Sequence, residues 1–101
     1  MHAHNVYFML KDKSSGAIAQ FVADSKQYLA VIPGIRSFAC GVIEAELDRE
    51  VNDRDFDVAL HVLFESKAAH DAYQIAPEHN EFVARNSDNW AAVRVFDTAV
   101  K

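Results

Sequence analysis

The chain has little of what several large function classes require. Cys40 is its single cysteine among 101 residues, so no disulfide can close within it. That fits a reducing, cytoplasmic setting. Its three glycines are scattered and cannot form a phosphate-cradling loop. Ten lysines and arginines face fifteen aspartates and glutamates, a formal net charge of −5. Such a balance repels a phosphate backbone, and nucleic acid is not an expected partner. No apolar run approaches the ~20 residues of a membrane helix, so no membrane partner is expected either. The opening Met1-His2-Ala3-His4 lacks the charged start and apolar stretch of a secretion signal. Repeats and low-complexity segments are also missing.

Apolar residues are plentiful: half the chain is hydrophobic, enough for one domain over residues 1–101 with a core of its own. From His4 to Lys11 the residues alternate, with His4, Val6, Phe8 and Leu10 on one side and Asn5, Tyr7, Met9 and Lys11 on the other. This period of two predicts a strand. Ser14 and Ser15 offer capping oxygens for a helix reaching about Val31, with Ile18, Phe21, Val22, Leu29 and Ile32 on its apolar stripe. Pro33-Gly34 ends it. A second strand is expected from about Ile35 to Ala45, followed by a solvated acidic connection, Glu46 to Asp55. Phe56 to Phe64 reads as a third strand with Phe56, Val58, Leu60, Val62 and Phe64 on one face. Ser66 caps a short helix from Lys67 to about Ile75, and Pro77 restarts helix at a favoured first position, towards Trp90. Ala91 to Ala99 alternates as a last strand.

The order β-α-β-β-α-β is a ferredoxin-like α+β arrangement, with helices on one face of a four-stranded antiparallel sheet. The other face should then turn polar. Instead Tyr7, Met9, Leu63 and Phe96 fall on it, an apolar patch too large to leave in water. A second copy of the chain is the expected cover, giving a homodimer. Phe38, Cys40 and Val42 form a further apolar series whose facing the sequence leaves open.

The opening strand His4-Asn5-Val6-Tyr7-Phe8-Met9-Leu10-Lys11 resembles that of the stress-responsive A/B barrel (Dabb) family. So do Ile32-Pro33-Gly34, Phe64-Glu65-Ser66, Tyr73-Gln74-Ile75-Ala76-Pro77-Glu78-His79 and Val95-Phe96-Asp97. The resemblance runs through nearly the whole chain in order. It implies a dimeric α+β barrel in which two sheets pack face to face, and no single activity. Polyketide cyclases of the olivetolic acid cyclase type, within this family, close rings with a tyrosine and a histidine beside a second histidine. Their motif positions match Tyr73, His79 and His4, and their pocket walls match Val6, Phe8, Leu60, Phe82, Trp90, Val93 and Val95. The chain departs at Ala76, where a histidine is common, and at Ser25 and Lys26, which replace an aromatic and an aliphatic wall.

The residues themselves allow such a site. Phe82, Asn86 and Trp90 follow His79 at helical spacing, so burying the two aromatic residues turns His79 inward. The Ala76-Pro77 corner lets Tyr73 approach, and His4 lies on the strand row facing the helices. His79 can act as base, Tyr73 as hydrogen-bond donor to a developing oxyanion, and His4 as an orienting group, with no cofactor. A histidine on an apolar helix face can equally be satisfied by a backbone carbonyl or by Tyr73 itself. Two readings therefore stand: a structural or small hydrophobic ligand-binding module, or a cyclase- or isomerase-like enzyme acting on a polyketide-like or enolisable substrate. They part on geometry, since separation of the three side chains by more than ~8 Å, or absence of a cavity beside them, removes the second.

Other candidates carry less. His2 and His4 make an H-x-H pair without a third ligand nearby, and no metal centre is expected. His61 should face the dimer side and His70 the solvent. Asp53, Asp55 and Asp57 lack the glycine and terminal glutamate of a calcium loop. Cys40 has no sequence neighbour marking it as a nucleophile.

Overall fold

Two serines set where helices begin. In the computed structural model, which describes residues 1–101, Ser14 Oγ accepts from Ala17 N and Ser66 Oγ from Ala69 N. Each satisfies one of the backbone donors that a helix start leaves unpaired. The elements are β1 (His2–Leu10), α1 (Ser15–Asp24), β2 (Ile35–Val42), β3 (Val58–Phe64), α2 (Lys67–Gln74), α3 (Pro77–Asn86) and β4 (Trp90–Ala99). A π-helical turn, Ser25–Leu29, continues α1, and a 3-10 turn, Ser87–Asn89, follows α3. No helix is long and apolar enough to cross a membrane.

The sheet order is β2-β3-β1-β4 and every neighbouring pair is antiparallel. This is the ferredoxin-like α+β sheet that the element order implies. Opposed residues share a face, so the register sorts the side chains. Val6 lies opposite Leu60 and Val95, and Phe8 opposite Val58 and Val93; this row faces the helices. Phe21, Leu29, Ile32, Tyr73 and Phe82 close over it, forming one core cluster with β1 and β3. Fully burying one such side chain contributes ~1.5–3 kcal/mol. The same register puts Phe38, Cys40 and Val42 opposite Val62, Leu60 and Val58, hence on the helix side.

The helix-to-turn junction at Pro33-Gly34 is where a glycine is required. Gly34 adopts φ 95°, and a Cβ there would come within 2.7 Å of the Ala69 side chain. On α1 and α3, Asp24 and Asn86 are buried together: Asn86 Nδ2 donates to Asp24 Oδ2 at 3.2 Å, and Gln20 Nε2 to Asp24 Oδ1 at 2.7 Å. Asn86 thus ties the two helices instead of facing a ligand.

Several boundaries differ from expectation. β2 ends at Val42 instead of Ala45, and the first helix gives way to its π turn after Asp24. Trp90 does not end the last helix: it opens β4, opposite Leu10, where a register shift turns it under α3 beside Phe8 and Phe82. The largest correction concerns Phe56. β3 begins only at Val58, because Asp57 leaves the alternation: its carboxylate accepts from Leu10 N at 2.8 Å. Phe56 therefore lies on the open face, with its ring 5.0 Å from Tyr7. The acidic connection is not simply solvated, since Asp53 pairs with Arg94 of β4 and Arg54 donates to the carbonyls of Ala45 and Leu47.

The open face carries Asn5, Tyr7 and Met9 of β1, Ala59, His61 and Leu63 of β3, and Arg94 and Phe96 of β4. Tyr7 is the hub of its aromatic group, with Phe96 at 5.8 Å and His61 at 5.9 Å between ring centroids. Phe96 is 52% exposed in the isolated chain.

Candidate functional site

Between the helix-facing row and the α2–α3 corner lies a cavity of about 150 Å³. Its walls include all seven residues expected to form them: Val6, Phe8, Leu60, Phe82, Trp90, Val93 and Val95. Leu29 from the π turn, Gln74 and Val83 complete the wall and were not anticipated. Leu29 follows from the π turn, where an extra residue re-aims the chain; nothing in the local sequence announces such a turn.

His4, Tyr73 and His79 all border this cavity. Tyr73 is the last-turn residue of α2, and Pro77 starts α3 two residues before His79, so one tight corner brings both over the sheet. Ring centroids of Tyr73 and His79 are 4.9 Å apart, and those of His4 and Tyr73 are 6.0 Å apart. Tyr73 thus lies within the ~8 Å limit of both histidines, and a cavity adjoins the group.

The polar groups here are unevenly satisfied. His79 Nδ1 and Trp90 Nε1 are buried without any hydrogen-bond partner. Burial lowers the His79 pKa below its ordinary 6.5, aided by repulsion from His4 and His70. That shift favours the neutral imidazole. Desolvation alone raises the Tyr73 hydroxyl above its ordinary 10, keeping it protonated as a donor. Tyr73 meets His79 edge to face and is not its hydrogen-bond partner, so that satisfied-histidine alternative does not describe this site.

His4 is oriented by a residue outside the expected set. Its Nδ1 lies 2.6 Å from Asp97 Oδ1, and His2 Nε2 reaches the same oxygen at 2.9 Å. Burial lowers the His4 pKa, although the Asp97 hydrogen bond and charge oppose it. Partial burial pushes the Asp97 carboxyl up, but hydrogen bonds from His2 and His4 outweigh it and leave the pKa below its ordinary 3.8. The available signal was the row Val93, Val95, Asp97: a charge continuing an inward-facing series needs a partner. His70 is not solvated as expected. It stacks on His2 at 4.5 Å, lies 4.9 Å from His4 and 5.6 Å from Phe64, and its side chain is 14% exposed.

The remaining candidates fall elsewhere. His61 sits on the open face, its Nδ1 2.9 Å from Asn5 Oδ1. Cys40 packs against the core, where burial pushes its thiol pKa up, away from nucleophilic use. Ser25 is fully buried with its hydroxyl donated to Val22 O, and Ala76 stands at the α3 start without adding a polar group. Asp53 and Asp57 go to separate partners, Arg94 and the Leu10 amide.

A helix-covered antiparallel sheet with a cavity under its α2–α3 corner defines a ferredoxin-like α+β domain. More narrowly, the chain belongs to the Stress Responsive A/B Barrel Domain (Dabb) family, whose model matches residues 3–100. A Dabb family protein from Mesorhizobium loti with a ferredoxin-like fold superposes with a TM-score of 0.82 at 24% identity, over 99% of this chain and 96% of that one. A dimeric ferredoxin-like protein of unknown function from Thermobifida fusca gives 0.80 at 20% identity, covering 98% and 90%. The hydroxynitrile lyase of Passiflora edulis gives 0.79 at 22% identity, covering 99% and 93%. No curated protein matches the sequence.

Proposed function

We propose that the chain is a homodimeric module that binds a small hydrophobic molecule in the cavity under α2 and α3. One observation carries the binding reading: His79 and Trp90 both line an apolar cavity, and each has a buried nitrogen without a partner. An unmet buried donor or acceptor costs ~1–3 kcal/mol, which a ligand can recover. The indole N–H only donates, so the ligand needs a hydrogen-bond acceptor such as a carbonyl oxygen. A cavity of about 150 Å³ suits a molecule of one ring, since engineered cavities of ~150 Å³ take up benzene. The chemistry sought is thus a single-ring carbonyl compound or one of similar size.

A second reading, cofactor-independent turnover, is favoured by a neutral His79 beside a protonated Tyr73. His79 would take a proton from the carbon next to a carbonyl while Tyr73 donates a hydrogen bond to the enolate oxygen, with His4 held by Asp97 as an orienting group. A cyclase, lyase or isomerase step uses such a pair, and a hydroxynitrile lyase exists on this fold. The second copy covers Tyr7, Met9, Leu63 and Phe96, leaving the pocket on the opposite side of the sheet. Dimeric relatives and the exposure of Phe96 support it. The lone Cys40 fits a cytoplasmic setting.

The test is a thermal-shift and NMR titration with single-ring aromatic aldehydes and ketones. Binding that weakens about tenfold or more in both His79→Ala and Trp90→Phe, with the fold retained, is expected. Absence of any binder, or affinity unchanged in both variants, overturns the reading. Hydrogen–deuterium exchange at the methyl carbon of an aryl methyl ketone, which unlike an aromatic aldehyde can enolise, followed in D2O, separates turnover from binding alone.

A further inference from the structure

Orienting His4 takes one carboxylate, yet three imidazoles surround Asp97. His2 Nε2 and His4 Nδ1 lie 2.9 and 2.6 Å from its Oδ1, and His70 Nε2 lies 3.8 Å away. One donor atom from each of the four residues falls within 4.8 Å of every other. Neither His2 nor His70 lines the cavity. We propose that His2, His4, His70 and Asp97 form a binding site for a divalent transition metal of the zinc class.

The donor set favours that class. Imidazole suits zinc, copper and nickel, whereas magnesium and calcium require oxygen donors. A tetrahedral zinc held at ~2.0–2.1 Å by nitrogen and carboxylate ligands has its donors roughly 3.3 Å from one another. The separations here, from 2.6 to 3.8 Å around Oδ1, bracket that value. Three ligands are already held in place: the side chains of His4, His2 and His70 are 7, 12 and 14% exposed, locked by stacking on one another and by Phe64. The Asp97 side chain is 40% exposed. Its carboxylate is therefore the ligand able to swing aside from the hub and admit the ion.

The topology explains why the local sequence hides this site. His2 and His4 share one face of β1, and Asp97 lies opposite His4 on β4. His70 descends from α2, more than sixty residues after His4 and ahead of β4 in the chain. A metal there joins both strands to the helix that carries Tyr73. With all four ligands on protein it is a closed site, of the kind that holds elements together. It also takes the Asp97-facing nitrogen of His4, so metal loading fixes that ring at the edge of the cavity.

Calorimetric titration of the full chain with Zn2+ after chelator treatment tests the site. One ion per subunit is expected, with a raised Tm that EDTA reverses and no response to Mg2+. His70→Ala, which removes a ligand outside the proposed pocket, should weaken Zn2+ binding by more than about tenfold. His2→Ala should do the same, while His79→Ala leaves it unchanged. No Zn2+ binding by the wild type overturns the proposal, as does binding that survives both His70→Ala and His2→Ala. Should either variant fold poorly, His70→Gln replaces it, judged by the same loss of affinity. None of these outcomes depends on a ligand entering the cavity, so failure here leaves the pocket proposal standing.

Discussion

The two faces of the sheet use the same alternating strands for different ends. On the helix side the central rows of β1 and β3 are aliphatic and aromatic and closed off: Val58 and Phe64 are 0% exposed. The polar residues His4, His2 and Asp97 gather at one end, where the α2–α3 corner forms the cover. On the open side the apolar residues cluster around Tyr7, with Asn5, His61, Asp53 and Arg94 beside them. The comparison teaches a division of labour. One face folds the subunit and carries the proposed pocket, and the other is the face proposed for assembly. A mixed, half-polar aromatic surface is what an interface presents, whereas a subunit core excludes unpaired charge.

The largest expected effect breaks the folding face. Phe64→Ala removes a ring packed against Tyr73 and His70 and should cost ~3–5 kcal/mol in urea denaturation. The corresponding cut on the open face, Phe96→Glu, should dissociate the dimer while the helix-covered core stays folded. Sedimentation would read this directly, and a dimer unchanged by that substitution means the faces have been assigned the wrong way round. Ser66→Ala, which strips the cap from α2, should cost ~1 kcal/mol and loosen the corner that places Tyr73 and His70.

The smallest effect is a pH slope confined to the helix side. The folded His4 and His79 both have pKa values below their ordinary 6.5, so below that pH the unfolded chain binds more protons than the folded one. Their contribution is therefore fully present above about pH 6.5 and is lost as the pH falls towards the folded values. Asp97 acts in a separate window: its contribution holds above its ordinary 3.8 and disappears as the pH drops through its lowered folded pKa. His79→Asn should flatten the Tm profile between about pH 6.5 and 5. A profile in His79→Asn as steep as that of the unsubstituted chain would overturn this assignment.

Much of this was legible in order of residues alone. Alternation in His4 to Leu10 separates its two rows, because a period of two is a property of the extended chain itself. Serine caps and the Pro33-Gly34 stop act through bonds a few residues long, which is why helix starts were readable to within a residue. Motif resemblance supplied the walls Val6 to Val95 and the trio His4, Tyr73 and His79. Phe56 was misassigned because alternation says nothing about where a strand ends, and the Asp57–Leu10 bond decides that from another strand.

By itself, then, the sequence determined the element order and the apolar rows, which rest on local geometry, while resemblance to the family pointed to the candidate acid–base residues. Tertiary structure alone decided which row Phe38 and Cys40 join, that Trp90 is a strand residue under α3, and that Asp97 sits at the hub of His2, His4 and His70. Those facts depend on strand register and on a helix folding back over the sheet. Contacts between residues 2, 70 and 97 exist only once the chain has closed.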